Sequence, residues 1–165
     1  MKTEAGLYSI SDFYHWLSAR IAGAEQKQRP LAVAVFQVPA EPDGRQLREL
    51  ERTLCRSVRK GGLWFVLRTP WQRLTRFVER PLSSKADIPA RLSAQKFAVI
   101  LSDTNQVAAA VDRISRELSR VAEGPIMSGF ACYPGDGQTA TELIQSATTH
   151  SQTATASTKR ISAVS

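Results

Sequence analysis

Ile10, Phe13, Leu17 and Ile21 recur at helical spacing behind Ser9 and Ser11, so residues 9–26 read as a helix with a serine cap. Gly23 and the polar run EQKQRP end it. Residues 31–38, LAVAVFQV, form a continuous apolar run rich in β-branched side chains. That pattern predicts a strand buried on both faces, hence a central one. Pro39, Pro42, Asp43 and Gly44 break it, after which Leu47, Leu50, Leu54 and Val58 step by 3, 4 and 4 along a second helix whose apolar stripe faces a sheet. FAVIL at 97–101 predicts another strand. Val107, Val111, Ile114, Leu118 and Val121 predict an amphipathic helix capped by Asp103 or Thr104 and ended by Gly124-Pro125. A strand over 126–133, a turn over 134–137 and a short helix over 141–150 with Leu143, Ile144 and Ala147 inward follow. From Ser151 the chain is rich in Ser, Thr and Ala without apolar periodicity and reads as a flexible tail.

Residues 61–86 are the least regular. Gly61-Gly62 followed by LWFVL suggests a turn and a short strand, whereas PWQRLTRFVERPL, between Pro70 and Pro81, fits a helical turn or an extended insertion equally well. The order α, β, α, irregular β-containing insert, β, α, β, α predicts an α/β domain with helices packed against a central mixed sheet. The domain spans 1–150, with the insert at 61–86 and the tail at 151–165. A chain of 165 residues buries about 70% of its unfolded surface, enough for a core without disulfide or metal.

Composition narrows the chemistry. Cys55 and Cys132, with no CxxC, and His15 and His150 cannot build a four-ligand zinc site. With no apolar run of about 18 residues and no signal-type leader, the expectation is a cytoplasmic protein with reduced thiols and no membrane span. No metal or cofactor is implied. The net charge of +7 comes mostly from arginine, 16 of the 22 cations, and the guanidinium fork suits phosphate or carboxylate. The chain lacks a basic arm, a zinc finger and an RNP-type aromatic motif, so nucleic acid is a disfavoured partner.

One concentration of charge stands out. Arg45, Arg48, Arg52, Arg56 and Arg59 step by 3, 4, 4 and 3 beside the leucine stripe of the second helix. It is either a solvated face partly offset by Glu49 and Glu51, or a docking strip for an acidic partner, since like charges at this spacing repel. In the insert, Trp64, Trp71 and Phe77 are mixed with Arg68, Arg73 and Arg76, a composition found at protein interfaces and able to stack on a base but equally able to complete a core. His15 reads as a helix-surface residue, Cys55 and Cys132 as small core residues, and no Ser/His/Asp triad can be inferred.

Two stretches carry a family resemblance. DIPARLSAQKFAVILSDT (87–104) resembles the hairpin of GGDEF domains, the bacterial diguanylate cyclase fold, with Asp87, Arg91, Leu92 and Phe97 in register. SGFACYPGDGQTATELIQSA (128–147) is similar to that family's later strand, turn and helix. The resemblance implies a palm-like fold over roughly residues 7–150. It also implies where chemistry would sit: an acidic third motif residue and an aspartate ending the first strand hold two divalent cations for phosphodiester formation.

Here the motif reads Ser93-Ala94-Gln95-Lys96-Phe97, and Gln37 takes the first-strand position. Gln95 is neutral and Lys96 is a cation, so the resemblance implies an inactive member with no catalytic residues. The family's R-x-x-D product-binding site reads Ser84-Lys85-Ala86-Asp87, without its arginine. RKGGLWFVL at 59–67 offers a displaced pseudo-motif, or simply a Gly-Gly turn into a strand. The expectation is therefore a non-enzymatic regulatory or scaffolding module in bacterial cyclic di-GMP or exopolysaccharide and biofilm regulation. It would bind a protein partner with an acidic surface through Arg45, Arg48, Arg52, Arg56, Arg59, Trp64, Trp71, Arg73 and Arg76, and a homodimer stays open. The alternative is a receptor for cyclic di-GMP or GTP that uses Lys85, Asp87, Arg91 and Lys96.

Overall fold

The computed structural model describes residues 6–58, 86–102 and 105–162, with side chains to residue 153. The elements are α1 (Ile10–Lys27), β1 (Leu31–Gln37), α2 (Gly44–Ser57), β2 (Ile88–Arg91), β3 (Lys96–Ser102), α3 (Val107–Ala122), β4 (Met127–Tyr133) and α4 (Ala140–Ser162). The expected insert at 61–86 lies almost wholly outside the described residues, as does the 59–67 pseudo-motif.

The strands form one sheet in the order β2-β3-β1-β4. β1 is central and pairs antiparallel with β3 and with β4, while β2 pairs antiparallel with β3. Among the described residues the parallel component of the expected mixed sheet is the isolated bridge between Tyr8 and Ala90. Strand alternation divides the core in two. Leu31, Val33 and Val35 point to one face and pack with Phe13 and Leu17 of α1 and with Leu143 and Ala147 of α4. Ala32, Ala34 and Phe36 point to the other and pack with Leu50 and Leu54 of α2 and with Ile114 and Leu118 of α3. Phe13, Phe36 and Phe97 are fully buried, each stabilising the fold by about 1.5–3 kcal/mol through area removed from water.

The helix ends follow from local chemistry. Ser9 caps α1 by accepting from the Asp12 backbone N–H. Asp43 caps α2, its carboxylate accepting from Arg45 and Gln46 N–H at 2.9 and 2.7 Å. Two positions differ from expectation. Gln106, not Asp103 or Thr104, is the N-cap residue of α3, without a side-chain cap bond; Asp103 and Thr104 themselves lie outside the described residues. α4 runs to Ser162 instead of ending near His150, so most of the expected tail is helical backbone. Its hydroxyls turn inward on the helix: Thr148, Thr149 and Thr153 donate to the carbonyls of Ile144, Gln145 and Thr149.

Gly129 sets the packing of α4 on the sheet. A Cβ there would lie 2.3 Å from both Ala147 O and Ser151 N, so only glycine lets the helix backbone lie on β4. His150 Nδ1 meets the Phe130 carbonyl at 2.8 Å, and the Asp136 carboxylate accepts from Cys132 N–H at 2.8 Å. These contacts occupy backbone groups of β4, which lies at the edge of the sheet.

Candidate functional site at the hairpin end of the sheet

β1 ends beside the β2–β3 hairpin. Gln37 is the register partner of Lys96 on one side and of Met127 on the other, and Val38 N–H donates to the Gln95 carbonyl at 2.9 Å. The hairpin turn is tight. Leu92 and Ser93 N–H both donate to the Lys96 carbonyl, at 2.9 and 3.1 Å, and Ser93 Oγ accepts from Gln95 and Lys96 N–H at 3.3 and 3.1 Å. A serine hydroxyl thus closes the loop on itself and takes up the two backbone donors that a glycine-rich turn would aim at an anion. Gln37 Oε1 is buried with no hydrogen-bond partner among the described residues.

Behind the turn lies a partly buried ion pair. Arg91 Nη1 donates to Glu51 Oε1 at 3.0 Å; the Glu51 side chain is 6% exposed and that of Arg91 38%. Glu51 was expected to offset the arginine ridge from outside. It does not, because it sits four residues from Leu47 and three from Leu54, on the apolar stripe of α2, and turns inward to β2. That position in the stripe was the available signal for its role.

No protein-family model matches the chain, and no curated protein matches it in sequence. Solved structures do match. A sensory box/GGDEF family protein from Caulobacter crescentus aligns over 94% of this chain and 98% of its own, at 19% identity and a TM-score of 0.65. The GGDEF domain of YfiN (TpbB) from Pseudomonas aeruginosa aligns over 91% of each chain at 19% identity and a TM-score of 0.64. The fold is that of a GGDEF domain. A third such domain, that of DgcB from Caulobacter crescentus, solved in complex with c-di-GMP, aligns over 94% of this chain and 90% of its own at 13% identity and a TM-score of 0.66. At these identities it is the fold that is shared.

The resemblance puts its divalent cations at the positions of Gln37 and Gln95, with Lys96 adjoining; in the structure Gln37 is the register partner of Lys96. Two amides and an ammonium do not fit a pair of hard cations, which take carboxylate oxygen. Among the described residues no group of three or more His, Cys, Asp or Glu side chains is placed to hold a metal.

The expected nucleotide-contacting residues are not brought together. Asp87 is buried at the start of β2, at the opposite end of that strand from Arg91. It lines a hollow of about 410 Å³ with Gln106, Arg113 and Arg116 of the α3 region, residues that sequence reasoning had not singled out. On the α1 side, burial pulls the Arg20 guanidinium below its usual range while the charge of Asp87 opposes that shift. Arg91 lines a different hollow, and Lys96 opens β3, across the hairpin from Leu92. Lys85 is outside the described residues.

Of the expected docking residues, Arg45, Arg48, Arg52 and Arg56 are all exposed on α2, and none forms an ion pair among the described residues. Arg59, Trp64, Trp71, Arg73 and Arg76 lie outside the described residues. His15 is exposed on α1 and edge-on to Trp16 at 5.7 Å. Cys55 and Cys132 are half-buried thiols; burial, then the charge of Asp136, pushes the Cys132 thiol up. Among the described residues no helix is long and apolar enough to cross a membrane.

Proposed function

We propose that this chain is a catalytically inactive GGDEF-type module of bacterial cyclic di-GMP signalling, with an exopolysaccharide or biofilm output. It acts in the cytoplasm by docking a protein that presents an acidic surface. The α2 ridge carries this reading. Four exposed guanidinium groups three and four residues apart repel one another; Glu49 on that face and Asp43 at the helix start offset them only in part, and Glu51 is engaged by Arg91 instead. An acidic partner relieves that repulsion. Gln37, Gln95 and Lys96 support the absence of turnover, because phosphoryl chemistry on GTP needs metals to neutralise the triphosphate. Arg59, Trp64, Trp71, Arg73 and Arg76 are proposed to extend the same surface, and self-association is a second form the docking can take.

Charge reversal by Arg52→Glu with Arg56→Glu tests the reading. Both side chains are exposed, so the melting temperature should hold while capture of the protein retained by the unmodified chain is lost. Unchanged capture overturns the ridge as a contact.

A second reading, a non-catalytic receptor for cyclic di-GMP or GTP, is favoured by one observation: the hollow lined by Asp87, Arg113 and Arg116 holds one carboxylate and two guanidinium groups, which also donate to the Ser57 and Asp112 carbonyls, a set suited to a guanine edge and phosphate. The DgcB domain that holds c-di-GMP shares the fold. The two readings separate in a calorimetric and thermal-shift titration. A receptor gains about 2.7 kcal/mol at a hundredfold excess of ligand over Kd. A docking module gains nothing from cyclic di-GMP or from GTP with magnesium.

A further inference from the structure

Between the start of α1, the first turn of α2 and the β2–β3 hairpin lies a hollow of about 390 Å³, lined by Tyr8, Ile10, Leu47, Arg91, Leu92 and Ala94 together with Ser9 and Ser93. Its walls are mostly apolar, and Ile10, 49% exposed, is the one exposed large hydrophobic residue among those described. Its polar groups are nearly all engaged internally. Ser9 Oγ donates to the Asp12 carboxylate at 2.8 Å and accepts from Asp12 N–H, while Ser93 Oγ accepts from two N–H groups of its own turn. What remains for a visitor is the guanidinium of Arg91, held in place through Nη1 by buried Glu51 and still partly open to solvent. The helix period sets Arg48, next in sequence to the lining residue Leu47 and three residues before Glu51, between Glu51 and the exposed ridge of Arg45, Arg52 and Arg56.

We propose that this hollow is the anchor socket of the docking surface: it takes an apolar side chain of the acidic partner, with an adjacent carboxylate of that partner on Arg91. The inference rests on the docking reading above and sharpens it. Charge on the ridge recruits an acidic segment and orients it, but exposed pairs in water give little affinity on their own. Affinity at interfaces concentrates in an apolar anchor within a water-excluding pocket. A short apolar hollow with a single pre-positioned cation, continuous with an arginine strip, matches an acidic peptide segment bearing an aliphatic or aromatic residue. Nucleic acid would satisfy the ridge but leave the apolar walls of the socket without a complement.

The test is selection of a randomised peptide display library on the purified chain, followed by fluorescence anisotropy with synthetic copies of the enriched peptides. Ile10→Asp and Ala94→Asp are chosen because both positions are exposed, and a carboxylate in the first turn of α1 suits the helix dipole. Enrichment of acidic peptides with a shared apolar residue, bound about tenfold or more weakly by either variant, is the expected result and the size of effect that loss of an interface anchor gives. Acidic peptides that bind both variants normally but lose affinity on Arg52→Glu with Arg56→Glu overturn the socket and leave the ridge standing. If acidic peptides are not enriched at all, the docking reading falls, and the socket with it.

Discussion

Arg91 and Glu51 show how one side chain's neighbours decide what it does. A carboxylate four residues from Leu47 and three from Leu54 is carried into the core by the helix period, and an arginine reaching in from β2 is what makes its burial tolerable. The two partners are not equivalent. Arg91→Met leaves the Glu51 carboxylate buried without its partner, and should lower stability by about 1–3 kcal/mol in urea unfolding. Glu51→Met leaves behind a guanidinium that is already partly hydrated, and should cost less. Equal losses would mean that the pair does not sit as described. At the same scale, Ser93 converts a turn that glycines would leave open into one closed by its own hydroxyl. Gln37, Gln95 and Lys96 were readable directly from the motif register, whereas the pairing of Arg91 with Glu51 depended on two segments 40 residues apart and was not.

Elements with a strong apolar period were legible. β1 and β3 announced themselves as continuous apolar runs, and α2 and α3 by leucine, valine and isoleucine at steps of three and four. β2 has four residues with a proline among them and no period of its own; the resemblance alone indicated a hairpin there, and an edge position is where a strand tolerates proline. α4 extends past His150 to Ser162, and within the stretch that reads as a tail Thr153 donates back to its own helix, so that hydroxyl is satisfied without leaving the helical path. Two helix starts are built on ionised carboxylates. Gln46 and then Arg45 N–H hold Asp43 below the usual carboxylate range, and Gln138 and then Thr139 N–H do the same for Glu142, which closes a capping box with Thr139. A folded-state pKa below the unfolded value means that the stabilisation is present above the unfolded value, near pH 4, and is lost as pH falls through the folded one. Melting temperatures should therefore fall on acidification below about pH 4. In Asp43→Ala with Glu142→Gln the fall should be shallower, and an identical acid profile would contradict these caps.

At the scale of the whole molecule, the GGDEF fold keeps its frame while the hairpin end of its sheet presents amides, an ammonium and a self-closed turn. The outward face of α2 presents arginines without ion-pair partners among the described residues. A sequence this distant from its structural neighbours retains the pattern that folds it, and function must be argued from the site rather than inherited from the frame. On the reading proposed above, this frame binds and does not turn over substrate. The most direct measurement is chromatographic analysis of the purified chain incubated with GTP and magnesium or manganese. GTP should be recovered unchanged; formation of cyclic di-GMP above a no-protein control would overturn that reading.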